Sequence, residues 1–278
     1  MTEPAFESAC ESLVREHDRD RWATARLAPP PAAGRLFALY AFNLEVARIP
    51  SVVSEPMLGE IRLQWWRDAI AEIYDGAAPR RHEVVEPLAE AVAGARLPRD
   101  LFEALLDARS YDTHGPSIGD RALFDAYVDG TAGALMRLAA GICAGGELEA
   151  RDDRAARLAG WAAGAAALIR ALPALYARGG DPIPTEGELE RNTLAEGITP
   201  PELREALRAI AADGLEKLSQ ARALRPAAAI RPALLGAWRA EETLRPAARP
   251  GFEVFAQAIP SEFARRGRLA RKVLFGGF

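Results

Sequence analysis

A chain of 278 residues, 49% hydrophobic and 27% charged, is long enough to bury a sizeable core without a metal or disulfide staple. Its formal net charge of −4 gives no global attraction to nucleic acid, so no nucleic-acid partner is expected. Cys10 and Cys143 form no Cys-x-x-Cys, and His17, His82 and His114 are widely spread, which argues against a disulfide framework and a zinc site.

The first twenty residues carry Glu3, Glu7, Glu11, Glu16, Asp18 and Asp20. A secretory signal or a mitochondrial presequence would not be this acidic, so the expected location is the cytoplasm. Leu27-Ala28-Pro29-Pro30-Pro31 reads as a stiff break between an N-terminal helix and the next one. From Leu58, the apolar positions Ile61, Trp65, Ala69, Ile70 and Ile73 predict an amphipathic helix, with Ser54 as cap, Pro56 in its first turn and Asp75-Gly76 as its end. Pro98 opens a helix through Leu101, Leu105 and Leu106, and another runs from about Asp120 to Ile142, stopped by Gly145-Gly146. Leu158 to Leu175 is weakly polar, rich in Ala and Gly and interrupted by Arg170 and Pro173, as expected of a tightly packed buried helix. Thr199-Pro200-Pro201-Glu202 predicts a capping box for a helix reaching Pro226. With no alternating strand pattern, the fold class is all-α, a single-domain helical bundle over residues 1–278.

Chemistry-bearing motifs are sparse. There is no Walker A, Gly-x-Gly-x-x-Gly or Gly-x-Ser-x-Gly sequence. Asp125 and Asp129 stand four apart, which is the spacing of one helical face; helix-start acids or a solvated face explain them best. Ser110 and His114 read as the surface polarity of a loop. The C-terminal residues mix Phe263, Leu269, Val273, Leu274, Phe275 and Phe278 with Arg265, Arg266, Arg268, Arg271 and Lys272. Such a segment either packs on the bundle with its basic face solvated or lies on an anionic membrane surface.

Three segments carry a resemblance. Tyr40-Ala41-Phe42-Asn43-Leu44-Glu45 is followed about twenty residues later by Arg62-Leu63-Gln64-Trp65-Trp66-Arg67-Asp68 and then by Tyr74-Asp75-Gly76. With Tyr127 and Ala132-Gly133, and with Gly164 to Pro184, this resembles the squalene/phytoene synthase family over roughly residues 32–184. The resemblance implies an isoprenoid synthase-type bundle around a deep apolar pocket. It also implies two aspartate-rich segments that bind magnesium and grip prenyl diphosphates, because ionising an allylic diphosphate requires neutralising its leaving group.

The aligned positions depart from that pattern. The first set falls at Ala47, Arg48 and Ser51, with Glu45 two residues off register. The second falls at Gly164, Ala167, Arg170, Ala171 and Leu175, of which only Arg170 matches, and Pro173 is expected to kink or end the helix. Val53-Ser54-Glu55 and Ile169-Arg170-Ala171-Leu172-Pro173 add similarity to the branch of the family that assists assembly of NADH:ubiquinone oxidoreductase. The expectation is therefore a pseudoenzyme with no catalytic residue, metal or cofactor and with a protein partner among complex I subunits or assembly intermediates, placed in the cytoplasm or peripherally at the inner membrane. The alternatives are an active head-to-head prenyl-diphosphate synthase, which would need magnesium, and a binder of a prenyl lipid or quinone in the pocket.

Overall fold

The computed structural model describes residues 8–278 apart from 116–117, 188, 190, 258–260 and 276. Among the described residues it forms helices and no β-strand, in the order α1 (Ala9–His17), α2 (Arg19–Ala25), α3 (Pro30–Ala47), α4 (Ile49–Val52), α5 (Pro56–Tyr74), α6 (Val85–Ala95), α7 (Arg99–Thr113), α8 (Arg121–Val128), a π-helical segment (Asp129–Gly133), α9 (Ala134–Ala144), α10 (Ala150–Ala177), α11 (Arg191–Ala195), α12 (Pro201–Ala223), α13 (Arg231–Leu234), α14 (Ala240–Ala247) and α15 (Glu262–Phe275).

Two helices organise the bundle. In α3 every residue from Leu36 to Asn43 is buried, so this helix is apolar all round and is enclosed by neighbours on every side. The second, α10, packs against α9, the π segment, α12 and α14. It is long and apolar enough to cross a membrane by length and composition, but half of its most apolar stretch is buried inside the bundle. Small residues allow the close packing. A Cβ on Gly160 would lie 2.7 Å from the Ala132 carbonyl oxygen, and one on Gly164 would lie 2.6 Å from Ala132 Cβ.

Of the two outcomes expected of Pro173, an end to the helix is not realised: α10 continues to Ala177. A proline four residues on leaves the Ile169 carbonyl without its helical donor. Gln257 Nε2 donates to that carbonyl at 3.4 Å, so a residue from outside the helix takes over the lost role.

Three other local expectations are corrected. The buried stripe of α5 is Gly59, Leu63, Trp66, Ala69 and Ile70, so the predicted Ala69 and Ile70 face the core, while Ile61 is 59% exposed and Trp65 is half-buried. The main neighbour of this helix is α7, with α4 and α6 adding smaller contacts. Ser54 does not cap α5; Glu55 is the N-cap residue and its side chain makes no capping bond. The capping box before α12 does not form either. The Thr199 hydroxyl accepts from the Val254 N–H at 2.9 Å, and the Thr199 N–H donates to Glu253, so tertiary partners displace the local one.

Candidate functional site

A lateral cleft of about 610 Å³ opens between the C-terminal end of α3, α4, the end of α7, the α8–π junction and α10. It gathers Asn43, Ala47, Ser51, Tyr127, Gly164, Ala167, Ala171 and Leu175 from the aligned motif positions. Tyr40, Glu45, Arg48, Gly133 and Arg170, also named from the sequence, do not line it.

Each of these five has another place. Tyr40 is buried in the core beneath the Arg21 guanidinium, which sits 5.7 Å from the ring centre. Arg48 is the residue where α3 gives way to α4, and its carbonyl accepts from the Ser51 hydroxyl at 2.7 Å. Glu45 is half-buried on α3. Gly133 closes the π segment, where a Cβ would lie 2.8 Å from Asp129 Oδ1. Arg170 turns towards α14 and donates to Thr243 Oγ1 at 2.9 Å. Burial, assisted by the Arg239 charge, pulls the Arg170 guanidinium down to about 10.

The cleft contains a polar centre that the motif positions do not reveal. Tyr127 Oη donates to Asp112 Oδ1 at 2.8 Å, and Arg109 Nη1 donates to Asp112 Oδ2 at 2.9 Å and to Tyr127 Oη at 3.3 Å. Burial disfavours the Arg109 charge, but Tyr127 and Asp112 beside it outweigh that and hold the guanidinium above its ordinary value. Burial is also the main reason the Tyr127 phenol is pushed upward, so it stays protonated and donates. The signal for this centre was the spacing Arg109-x-x-Asp112, which puts both side chains on one face of α7. Only the fold brings Tyr127 to them.

Two polar atoms in this lining have no partner among the described residues: Asn43 Oδ1 and Arg109 Nε. Arg21 and Arg178 add positive charge to the lining, and Glu55 and Asp112 are its carboxylates among the described residues.

The residues do not fit a magnesium-diphosphate site. Ala47, Ala167, Ala171, Gly164 and Leu175 offer no oxygen ligand from a side chain, and Asp112 already accepts from Arg109 and Tyr127. Among the described residues no group of three or more His, Cys, Asp or Glu is placed to hold a metal ion. Asp125 and Asp129 are taken up by guanidinium partners, Arg121 at 2.9 Å and Arg157 at 2.8 Å. Ser110 lies on α7, not in a loop, and donates to Glu60 Oε1 at 2.6 Å alongside Thr113.

The architecture is that of the isoprenoid synthases. A dehydrosqualene synthase solved with a ligand superimposes with a TM-score of 0.79 at 16% identity, covering 96% of this chain and 94% of that one. A squalene synthase from Alicyclobacillus acidocaldarius superimposes with a TM-score of 0.72, also at 16% identity, over 85% of this chain and 90% of the other. At sequence level, residues 14–269 match the squalene/phytoene synthase family, and the chain belongs to that family.

Two kinds of relative are similar within it. NADH dehydrogenase (ubiquinone) complex I, assembly factor 6, is 29% identical over 164 residues in both Bos taurus and Homo sapiens, covering 59% of this chain and 48% of theirs. Presqualene diphosphate synthase from Rhodopseudomonas palustris is 32% identical over 118 residues, covering 42% of this chain and 41% of its own. The chain thus spans about half the length of the assembly factors it matches.

Proposed function

We propose that this protein is a non-catalytic member of the squalene/phytoene synthase family that assists assembly of respiratory complex I by binding complex I subunits or assembly intermediates. The observation that carries this reading is the chemistry of the cleft. The cleft positions aligned with the aspartate-rich segments are alanine, glycine, serine and leucine, and its inner carboxylate is paired with the Arg109 charge and accepts from the Tyr127 hydroxyl. Ionising a prenyl diphosphate needs converging positive charge on the leaving group, and magnesium held by facing carboxylates is what these positions do not supply. The similarity to complex I assembly factor 6 supports the same role. In this reading the protein works in the cytoplasm or at the inner face of the membrane that holds complex I.

Deleting the gene tests the role. Assembled complex I, read by native gel and NADH:quinone activity, should fall and be restored by the wild-type gene; unchanged complex I rejects it. Incubation with farnesyl or geranylgeranyl diphosphate and magnesium should yield no coupled product, and a coupled product would establish the prenyl synthase reading instead.

A second reading rests on the orphan atoms. The cleft remains open, and Asn43 Oδ1 and Arg109 Nε lack partners, which suits a prenyl lipid or quinone held without chemistry. Mass spectrometry of lipid extracted from the purified protein tests it.

A further inference from the structure

Helix α15 sits on the bundle with its faces reversed relative to an ordinary surface helix. At 100° per residue, Arg265, Arg268 and Lys272 share one face, and Phe263, Ala270 and Leu274 share the opposite one. The charged face is the one that docks. Arg265 donates to Asp20 at 2.6 Å, Arg268 to Glu242 at 3.0 Å and Lys272 to Glu241 at 3.0 Å. From the bundle, Arg231 donates to the carbonyls of Lys272 and Val273 near the helix end.

The apolar face is left in water. On that face Phe263 and Leu274 are 88% and 78% exposed, and Phe275, the last helical residue, is 83% exposed beside the Arg268 face; these are the three highest values for large apolar side chains among the described residues. At a rise of roughly 1.5 Å per residue, Phe263 and Leu274 stand roughly 16 Å apart along one line, as two anchors entering the same plane would. Arg266 and Arg271 are exposed on either shoulder of that line, and Glu262 is the only acid in the helix.

A second feature adjoins it. Between α1–α2 and α15 runs a groove of about 400 Å³ whose lining includes Arg15, Arg19, Arg265 and Arg266, with Glu16, Asp20 and Glu262 as its acids. Trp238 lines the groove while only 2% exposed, and its indole Nε1 has no acceptor; Arg265 Nε is likewise buried without one. Both atoms are donors, so this corner suits an acceptor such as a phosphate oxygen.

We propose that α15 is a membrane-surface helix. Phe263 and Leu274 enter the boundary between headgroups and acyl chains of an anionic bilayer, Arg266 and Arg271 meet its phosphates, and the neighbouring groove takes a lipid headgroup. The charge pattern favours a bilayer over a protein partner: a line of apolar anchors with guanidinium groups on both shoulders matches an apolar layer beneath an anionic plane. The proposal does not depend on the complex I role.

Flotation of the full chain with vesicles tests it. Vesicles of phosphatidylcholine with added phosphatidylglycerol should bind the protein at least ~10-fold more tightly than phosphatidylcholine alone, and salt should weaken binding. Phe263→Ser with Leu274→Ser should reduce binding ~10-fold or more while leaving circular dichroism and the unfolding midpoint unchanged, since neither side chain is buried. Arg266→Glu with Arg271→Glu should remove the preference for anionic vesicles. Phe263→Trp should show a blue-shifted emission only with anionic vesicles. Absence of vesicle binding by the wild type, or equal binding by the Ser double variant, overturns the proposal. So does a concentration-dependent dimer, abolished by the Ser substitutions, in a protein that ignores vesicles, because the face would then be covered by a second copy.

Discussion

At Gly164 a residue that could be taken for a lost ligand is a packing requirement. The family pattern places a glutamine there, but a Cβ would lie 2.6 Å from Ala132 Cβ and 2.9 Å from Val128 Cγ1. Ala132 Cβ is fixed to the backbone and cannot swing aside, so a larger residue must push α10 and the π segment apart. Gly164→Gln should therefore lower stability by about 1–3 kcal/mol, measured by urea unfolding, without creating prenyl transferase activity. A neutral substitution would mean that the helices have room to separate. The glycine was legible in the sequence as a departure from the motif, and its physical role was not, because Ala132 lies 32 residues away and meets it only after the π segment has set the approach. The same limit hid Asp112. Its partner Arg109 is on the same helical face, but Tyr127, which completes the centre, comes from the next helix.

Among the elements, the legible features were those set by local chemistry. Pro29 before α3, Pro98 before α7, Asp120 before α8 and the left-handed Gly145 after α9 all fall at helix ends, as the sequence predicts. The misread features were those where a distant partner overrides a local one. Thr199 gives its hydroxyl to Val254, and Pro173 stays within α10 because Gln257 serves the carbonyl the proline abandons. That compensation is testable as a coupling. Gln257→Ala should cost about 0.5–1.5 kcal/mol in the wild-type background, from loss of its bonds to Ile169 and Val254. In a Pro173→Ala background α10 regains its own N–H, so the cost of Gln257→Ala should shrink; a double-mutant cycle by urea unfolding reads the difference. Equal costs in both backgrounds would show that Gln257 acts through Val254 alone.

For the whole molecule, the proposed reading separates fold from chemistry. The bundle has the architecture of the family, while its cleft presents Ala47, Ser51, Gly164, Ala167, Ala171 and Leu175. Helix α15 is attached largely through charges: none of its residues is fully buried, although Val273 packs against the core. Glu241 is the hub of that attachment. It accepts from Arg222, Lys272 and Arg245, and the Arg222 bond is the largest reason its carboxyl is held down at about 2, from an ordinary value of 4.5. A carboxylate depressed in the folded state contributes stability that is complete above the unfolded value and is lost as the pH falls towards the folded one. The attachment of α15 should therefore hold above pH 4.5 and weaken progressively towards pH 2. Asp20 adds to the same trend, since its bonds to Arg265 and Arg239 outweigh the effect of burial and lower it. Hydrogen exchange should show α15 amides losing protection across this window before those of α3 and α10. Glu241→Gln should weaken α15 protection already at neutral pH, by about 1 kcal/mol given the partial exposure of the group, and should flatten its acid dependence. If α15 and α3 lose protection together in the wild type, the last helix is part of the cooperative core and its ionic attachment is not what releases it.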